Sequence, residues 1–138
     1  MKIQQISIFL ENAAGRLAEV TKVLKDGGIN LRALMIADTA DFGILRIIVD
    51  SVPKAMAILE REKFTTKTTD VLAVTVPDSV GSLAGVLEIF ERNTINIEYL
   101  YAAFDKAGET AVIIFKVEDV EKGLAVVEEN GLSTTDHF

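Results

Sequence analysis

Apolar positions along this chain follow a period of two, then a period near 3.6, then two again, and the whole cycle occurs twice. Over Lys2–Leu10, Ile6, Ile8 and Leu10 fall on one side of an extended chain and Ile3, Gln5, Ser7 and Phe9 on the other, which predicts a strand. Val71–Val76, rich in the β-favouring Val and Thr, is its later counterpart. Leu17, Val20 and Leu24, and then Leu83, Val86 and Phe90, recur at helical spacing. Arg16, Glu19 and Lys22, like Glu88, Glu91 and Arg92, face away on the same helices. Gly27-Gly28 and Asn93 supply the helix stops.

Two further strands are expected from Ile29 to about Ala37 and from Ile44 to Val49, joined by a turn over Asp38–Asp41. Their later copies run from Ile95 to Phe104 and from Ala111 to Val117, around a turn at Asp105–Gly108. Second helices over Val52–Glu62 and Val120–Glu129 carry Val52, Met56 and Leu59, and Val120, Leu124 and Val127. Thr65–Thr69 reads as a fourth strand that runs almost directly into the next module.

The cycle is a duplication. Gly15-Arg16-Leu17-Ala18 overlies Gly81-Ser82-Leu83-Ala84 at a shift of 66 (from 15 to 81), and Ile29-Asn30-Leu31 overlies Ile95-Asn96-Ile97 at the same shift. From Asp50 onward the shift is 68 (from 50 to 118), so two residues are inserted near Lys106–Glu109, where a turn accepts them cheaply. The expected domains are therefore 1–69 and 70–138. The expected fold class is α+β: two ferredoxin-like βαββαβ modules in tandem, pairing side by side into an eight-stranded antiparallel sheet with helices on one face. No flexible linker separates the modules, so rigid coupling is expected.

Composition narrows the function. The net charge of −7 argues against nucleic acid, which needs clustered Lys and Arg that this chain lacks. No apolar run is long enough to span a bilayer, and the first residues lack a signal-peptide pattern, so a cytoplasmic protein without membrane association is expected. With no cysteine there is no thiolate nucleophile or Cys-bound metal. The single histidine, His137, lies next to the C-terminus, and the carboxylate pairs Glu60/Glu62, Glu118/Asp119 and Glu128/Glu129 read as solvated helix faces. Asp38 with Asp41 is a weak cation site and a good turn. Gly81-Ser82-Leu83-Ala84-Gly85 lacks both dinucleotide spacing and a P-loop lysine, and Gly85 reads as a contact for close helix packing. No enzyme, metal or cofactor is expected.

The best-matched polar features are two loops and two asparagines. The loops are Asn12-Ala13-Ala14-Gly15-Arg16-Leu17 and Asp78-Ser79-Val80-Gly81-Ser82-Leu83, each opening a helix. Glycine there lets backbone approach a ligand, and first-turn N–H groups attract a carboxylate. Asn30 and Asn96 interrupt apolar runs, and an amide can meet both an ammonium and a carboxylate. A plainer reading also fits: the glycines serve the turn, Asn12, Asp78 or Ser79 cap the helices, and Asn30 and Asn96 satisfy turn backbone.

The pattern Glu11-Asn12-Ala-Ala-Gly15-Arg-Leu17-Ala with Gly28-Ile29-Asn30-Leu31, and its repeat Pro77-Asp78-Ser-Val-Gly81-Ser-Leu83-Ala with Ile95-Asn96-Ile97, resembles the ACT domain family over essentially the whole chain. Both copies lack the proline frequent before that family's glycine. The resemblance implies a regulatory protein that binds a free amino acid as effector at the interface between its two modules. It maps Asn12 to Leu17 with Asn30 to one site, and Asp78 to Leu83 with Asn96 to the other. It also implies a homo-oligomer, a dimer, and an enzyme of amino-acid metabolism as partner. The pocket would draw on Leu34, Met35, Tyr99 and Tyr101. The alternative is a ligand-independent interaction module that regulates an enzyme, with Arg32, Glu98, Tyr99 and Tyr101 in a protein interface.

Overall fold

A computed structural model describes residues 1–38, 41–104 and 108–138, without the side chain of Phe104. The elements run β1 (Lys2–Glu11), α1 (Arg16–Asp26), β2 (Leu31–Asp38), β3 (Phe42–Val49), α2 (Val52–Arg61), β4 (Thr65–Pro77), α3 (Ser82–Arg92), β5 (Ile97–Phe104), β6 (Thr110–Val117), α4 (Val120–Glu129) and β7 (Ser133–Thr134). The expected turns over Asp38–Asp41 and Asp105–Gly108 lie partly outside the described residues. Two compact units result. Gln4–Thr69 forms an N-terminal module; Asp70–Phe138, joined by Met1–Ile3, forms a C-terminal one.

Within the N-terminal module β3 lies antiparallel between β1 and β2, with Ile8 opposite Leu45 and Ile36 opposite Leu45 on the other side. Within the C-terminal module β6 stands likewise between β4 and β5, with Val74 opposite Ile113 and Ala102 opposite Ile113. The short β7 pairs Thr75 with Ser133. Both edge strands carry a bulge at the equivalent place, between Leu31 and Ala33 and between Ile97 and Tyr99. Arg32 and Glu98 are the extra residues there, and Glu98 accepts from Lys116 Nζ at 2.6 Å.

Seven strands are present among the described residues where eight were expected. Residues 65–77 form one uninterrupted strand, because nothing in Thr65–Pro77 breaks an extended chain: it holds no glycine, and its only proline is its last residue. The fourth strand of one module and the first of the next are thus a single element.

The cores match position by position. Ile6, Ile8, Leu10, Val20 and Leu24 pack with Leu45, Ile47, Ile58 and Leu59; Leu72, Val74, Val76, Val86 and Phe90 pack with Ile113, Phe115, Val126 and Val127 at the same shifts. Phe90 meets Phe115 edge-to-face at 5.1 Å between ring centres. Gly123 stands where Ala55 does, and a Cβ there would lie 3.0 Å from both Leu72 Cδ1 and Val117 Cγ2, so α4 packs on its sheet closely enough that a methyl at this position would have to push both neighbours aside by a few tenths of an ångström.

All four helices end alike. Ile29, Phe64, Ile95 and Leu132 donate back to the carbonyls of Leu24, Leu59, Phe90 and Val127 at 2.9–3.0 Å, the six-to-one bond of a Schellman motif. The left-handed residue is Gly28, Lys63, Thr94 or Gly131, so in α3 it is Thr94, one residue beyond the expected Asn93.

Candidate functional site

The two helix-start loops are superimposable in their bonding. Asn12 N–H donates to Asp41 O and Asp78 N–H to Glu109 O; Ala13 and Ser79 donate to Glu11 and Pro77; Arg16 and Ser82 donate to Ala13 and Ser79, the last two at 3.3 Å. Each loop then turns through a left-handed glycine, Gly15 at φ 87° and Gly81 at φ 90°, which is the helix N-cap itself. Only glycine takes that conformation without cost. No side chain caps either helix, so Asn12, Asp78 and Ser79 are not N-caps. The N–H groups of Leu17, Ala18, Leu83 and Ala84 have no partner among the described residues.

Asn12, Ala13 and Ala14, like Asp78, Ser79 and Val80, are exposed, as are the side chains of Leu17 and Leu83. Apolar surface thus stands in water beside unpaired donors at both helix starts. Ser82 is half-buried, with its Oγ 3.0 Å from that of Ser79.

Arg16 departs from its expected outward pose. It is half-buried, its guanidinium lies 5.7 Å from the centre of the Phe64 ring, and it donates to Glu19 at 2.6 Å. A cation spread over a planar group stacks on an aromatic face, so the side chain folds back on its own module.

Asn30 and Asn96 are exposed and use backbone, not amide, to join their surroundings: Asn30 O accepts from Asp50 N and Asn96 O from Glu118 N. Asn30 N–H also donates to Asp50 Oδ1 at 3.2 Å. The structure does not bring loop and asparagine of one module together. They lie at opposite ends of an 11-residue helix, roughly 16 Å apart along its axis. Asn30 borders a hollow of about 380 Å³ with Thr21 and Gly28, and Asn96 one of about 240 Å³ with Glu118, Asp119 and Lys122. Of the expected pocket residues, Leu34 is exposed, Met35 and Tyr99 are half-buried and Tyr101 is buried.

One loop borders a larger cavity. Gly81 and Ser82 open onto about 520 Å³ in the C-terminal module, within the range of small-molecule sites. Val76, Val86, Ile89 and Leu132 form apolar wall, and Thr75 and Ser133 line it with hydroxyl-bearing residues. Gly85 lines it too. A Cβ on Gly85 would meet nothing within 4 Å, so this glycine does not serve the close helix packing expected of it. The replacement of Glu19 by Gly85 between the copies was the available sequence signal for this cavity.

Charge is perturbed away from the loops. The hydrogen bond from Lys22 holds the Asp26 carboxyl below the ordinary carboxylate range, and bonds to Glu121 and Asp70 raise Lys2. Among the described residues no group of three or more His, Asp or Glu side chains is placed to hold a metal, and no helix is long and apolar enough to cross a membrane. His137 is exposed beside Asp136.

Comparison with known proteins agrees with this architecture. The family model for an ACT domain pair matches residues 1–137. The acetolactate synthase small subunit of Haemophilus influenzae is 26% identical over 121 residues, covering 88% of this chain and 67% of that protein. A crystal structure of a Bacteroides thetaiotaomicron protein superposes with a TM-score of 0.92 at 39% identity, covering 98% of this chain and 92% of that one. The regulatory subunit of aspartate kinase from Thermus thermophilus, in a ligand-free form, gives a TM-score of 0.68 at 19% identity, with 93% and 92% covered.

Proposed function

We propose, from the premise that this chain belongs to the ACT domain pair family, that it is a regulatory protein which binds a free amino acid and transmits that signal to an enzyme of amino-acid metabolism. The observation that carries the reading is the pair of helix-start loops, each with a left-handed glycine as N-cap and two first-turn N–H groups left unpaired beside exposed apolar side chains. Such a terminus holds a carboxylate by direct hydrogen bonds and by the helix dipole. Two likenesses support the regulatory role: the sequence similarity to the small subunit of acetolactate synthase, and the fold shared with a protein named as the regulatory subunit of aspartate kinase. The protein has no catalytic residues of its own in this reading and acts in the cytoplasm.

The binding residues are those of the loops, Asn12 to Leu17 and Asp78 to Leu83, with the amides of Asn30 and Asn96. Because a helix length separates loop from asparagine within a module, a ligand touching both takes the loop of one module and the asparagine of another. Binding then favours whichever arrangement of modules brings these together, which is how occupancy becomes a signal. Titration calorimetry of the full chain against the twenty amino acids tests this. Saturable heat with at least one, abolished by Gly81→Val, is the expected result; no heat and no thermal shift with any of them refutes it.

A ligand-independent interaction module is the second reading, and one observation favours it. Phe9, Leu34, Ile36 and Phe42 of the N-terminal module are 43–58% exposed, and Leu34 and Ile36 lie on β2, an edge strand paired only with β3 among the described residues. Under this reading Gly81→Val leaves enzyme regulation intact, whereas Ile36→Lys abolishes it.

A further inference from the structure

The two modules are copies, so each residue lining the 520 Å³ cavity has a counterpart whose fate can be read directly. Ser82, Gly85 and Leu132 of the C-terminal module correspond to Arg16 and Glu19 (shift 66) and to Phe64 (shift 68). In the N-terminal module those three side chains close on one another: Arg16 lies over the Phe64 ring and donates to Glu19 at 2.6 Å. In the C-terminal module the cation, the carboxylate and the ring are all absent, and the same place is open.

The change extends to the rim. Pro77 and Gly131 line the cavity where the first module has Glu11 and Lys63, so four charged positions of one copy are uncharged in the other. No ionisable side chain lines the cavity among the described residues. The hollow is open to solvent on one side, so a charged ligand side chain entering it would give up part of its hydration with no counter-ion in the lining to replace it. An aliphatic side chain would instead bury apolar area against Val76, Val86, Ile89 and Leu132.

Resting on the reading of the protein as an amino-acid sensor, we infer that only the C-terminal module holds the ligand's side chain, in this cavity beside Gly85, and that the ligand is an amino acid with a small, uncharged aliphatic side chain. The N-terminal module supplies its own occupant, the Arg16–Glu19 pair.

The test restores that occupant. Full chains of the parent, of Ser82→Arg/Gly85→Glu and of Gly85→Leu are titrated with L-alanine, L-valine and L-leucine, and with L-lysine and L-aspartate. Both altered positions lie at a helix surface facing the cavity, and thermal melts of each variant check that the fold is kept. The expected result is one aliphatic amino acid per chain for the parent, weakened by about tenfold or more in both variants. Binding of an aliphatic amino acid that both variants retain overturns the siting while leaving the sensor reading intact. Preference for lysine or aspartate, or two equal sites per chain, overturns the inference in the same way. No binding of any of these five overturns this inference, and silence of the parent chain toward the other fifteen as well removes the sensor reading with it.

Discussion

Substituting alanine for the two helical glycines of the C-terminal module gives opposite results from the same chemical change. Gly85 in α3 and Gly123 in α4 both sit in helix interiors, where alanine is favoured over glycine by about 0.8–1 kcal/mol. At Gly85 the new methyl meets nothing within 4 Å, so the full gain is realised. At Gly123 it arrives 3.0 Å from Leu72 Cδ1 and Val117 Cγ2, and both of those residues are fully buried. Overpacking of that kind costs roughly 1–3 kcal/mol, which outweighs the propensity gain and leaves a net loss of about 1 kcal/mol. Thermal melts followed by circular dichroism are the assay. Gly85→Ala should raise the midpoint by roughly 3–6 °C and Gly123→Ala lower it by a similar amount. Urea titration with an unchanged slope would attribute the shifts to native-state stability. A Gly85→Ala protein no more stable than the parent would mean that the α3 face is not open. A Gly123→Ala protein stabilised as much as Gly85→Ala would refute the close approach of α4 to its sheet.

Thr94 holds a left-handed conformation that costs a β-branched residue about 1–2 kcal/mol, so Thr94→Gly should stabilise the protein by about 0.5–1 kcal/mol after glycine's greater unfolded-state entropy is subtracted, as calorimetry would show. Phe90→Ala removes a buried ring and its edge-to-face partner, and should cost about 3–5 kcal/mol in urea denaturation. Asp26 is stabilising above its ordinary carboxylate value, and that contribution is lost as pH falls through its lowered one; because Asp26 and Lys22 are exposed, Asp26→Asn should leave the neutral-pH melting midpoint within error.

The division between what was legible in the chain and what was not follows the range of the forces involved. Strand and helix positions came from periodicity, and the helix stops from residues within one turn, because both depend on neighbours a few positions away. The repeat of Ile6, Leu24 and Ile47 as Leu72, Phe90 and Phe115 carried the two cores over almost intact, since copies at a constant shift face the same way.

The candidate site was legible only in its parts. The helices predicted between loop and asparagine, α1 and α3, hold the two apart by their own length, and how two modules would bring them together is a matter of packing that no local signal reports. Arg16 read as a solvent-facing charge because helical phase places it outward; the ring that captures it, Phe64, enters from the far end of the module. Gly85 read as a packing contact because small residues often are one, but only the positions of β4, α3 and the segment after α4 together leave its face open. Two copies of one module, with their cores, were readable from periodicity and register along the chain. Only packing in three dimensions turns Arg16 back onto Phe64 in one copy and leaves the equivalent place open in the other, because that depends on side chains 48 residues apart, at positions 16 and 64, and on their replacements at 82 and 132.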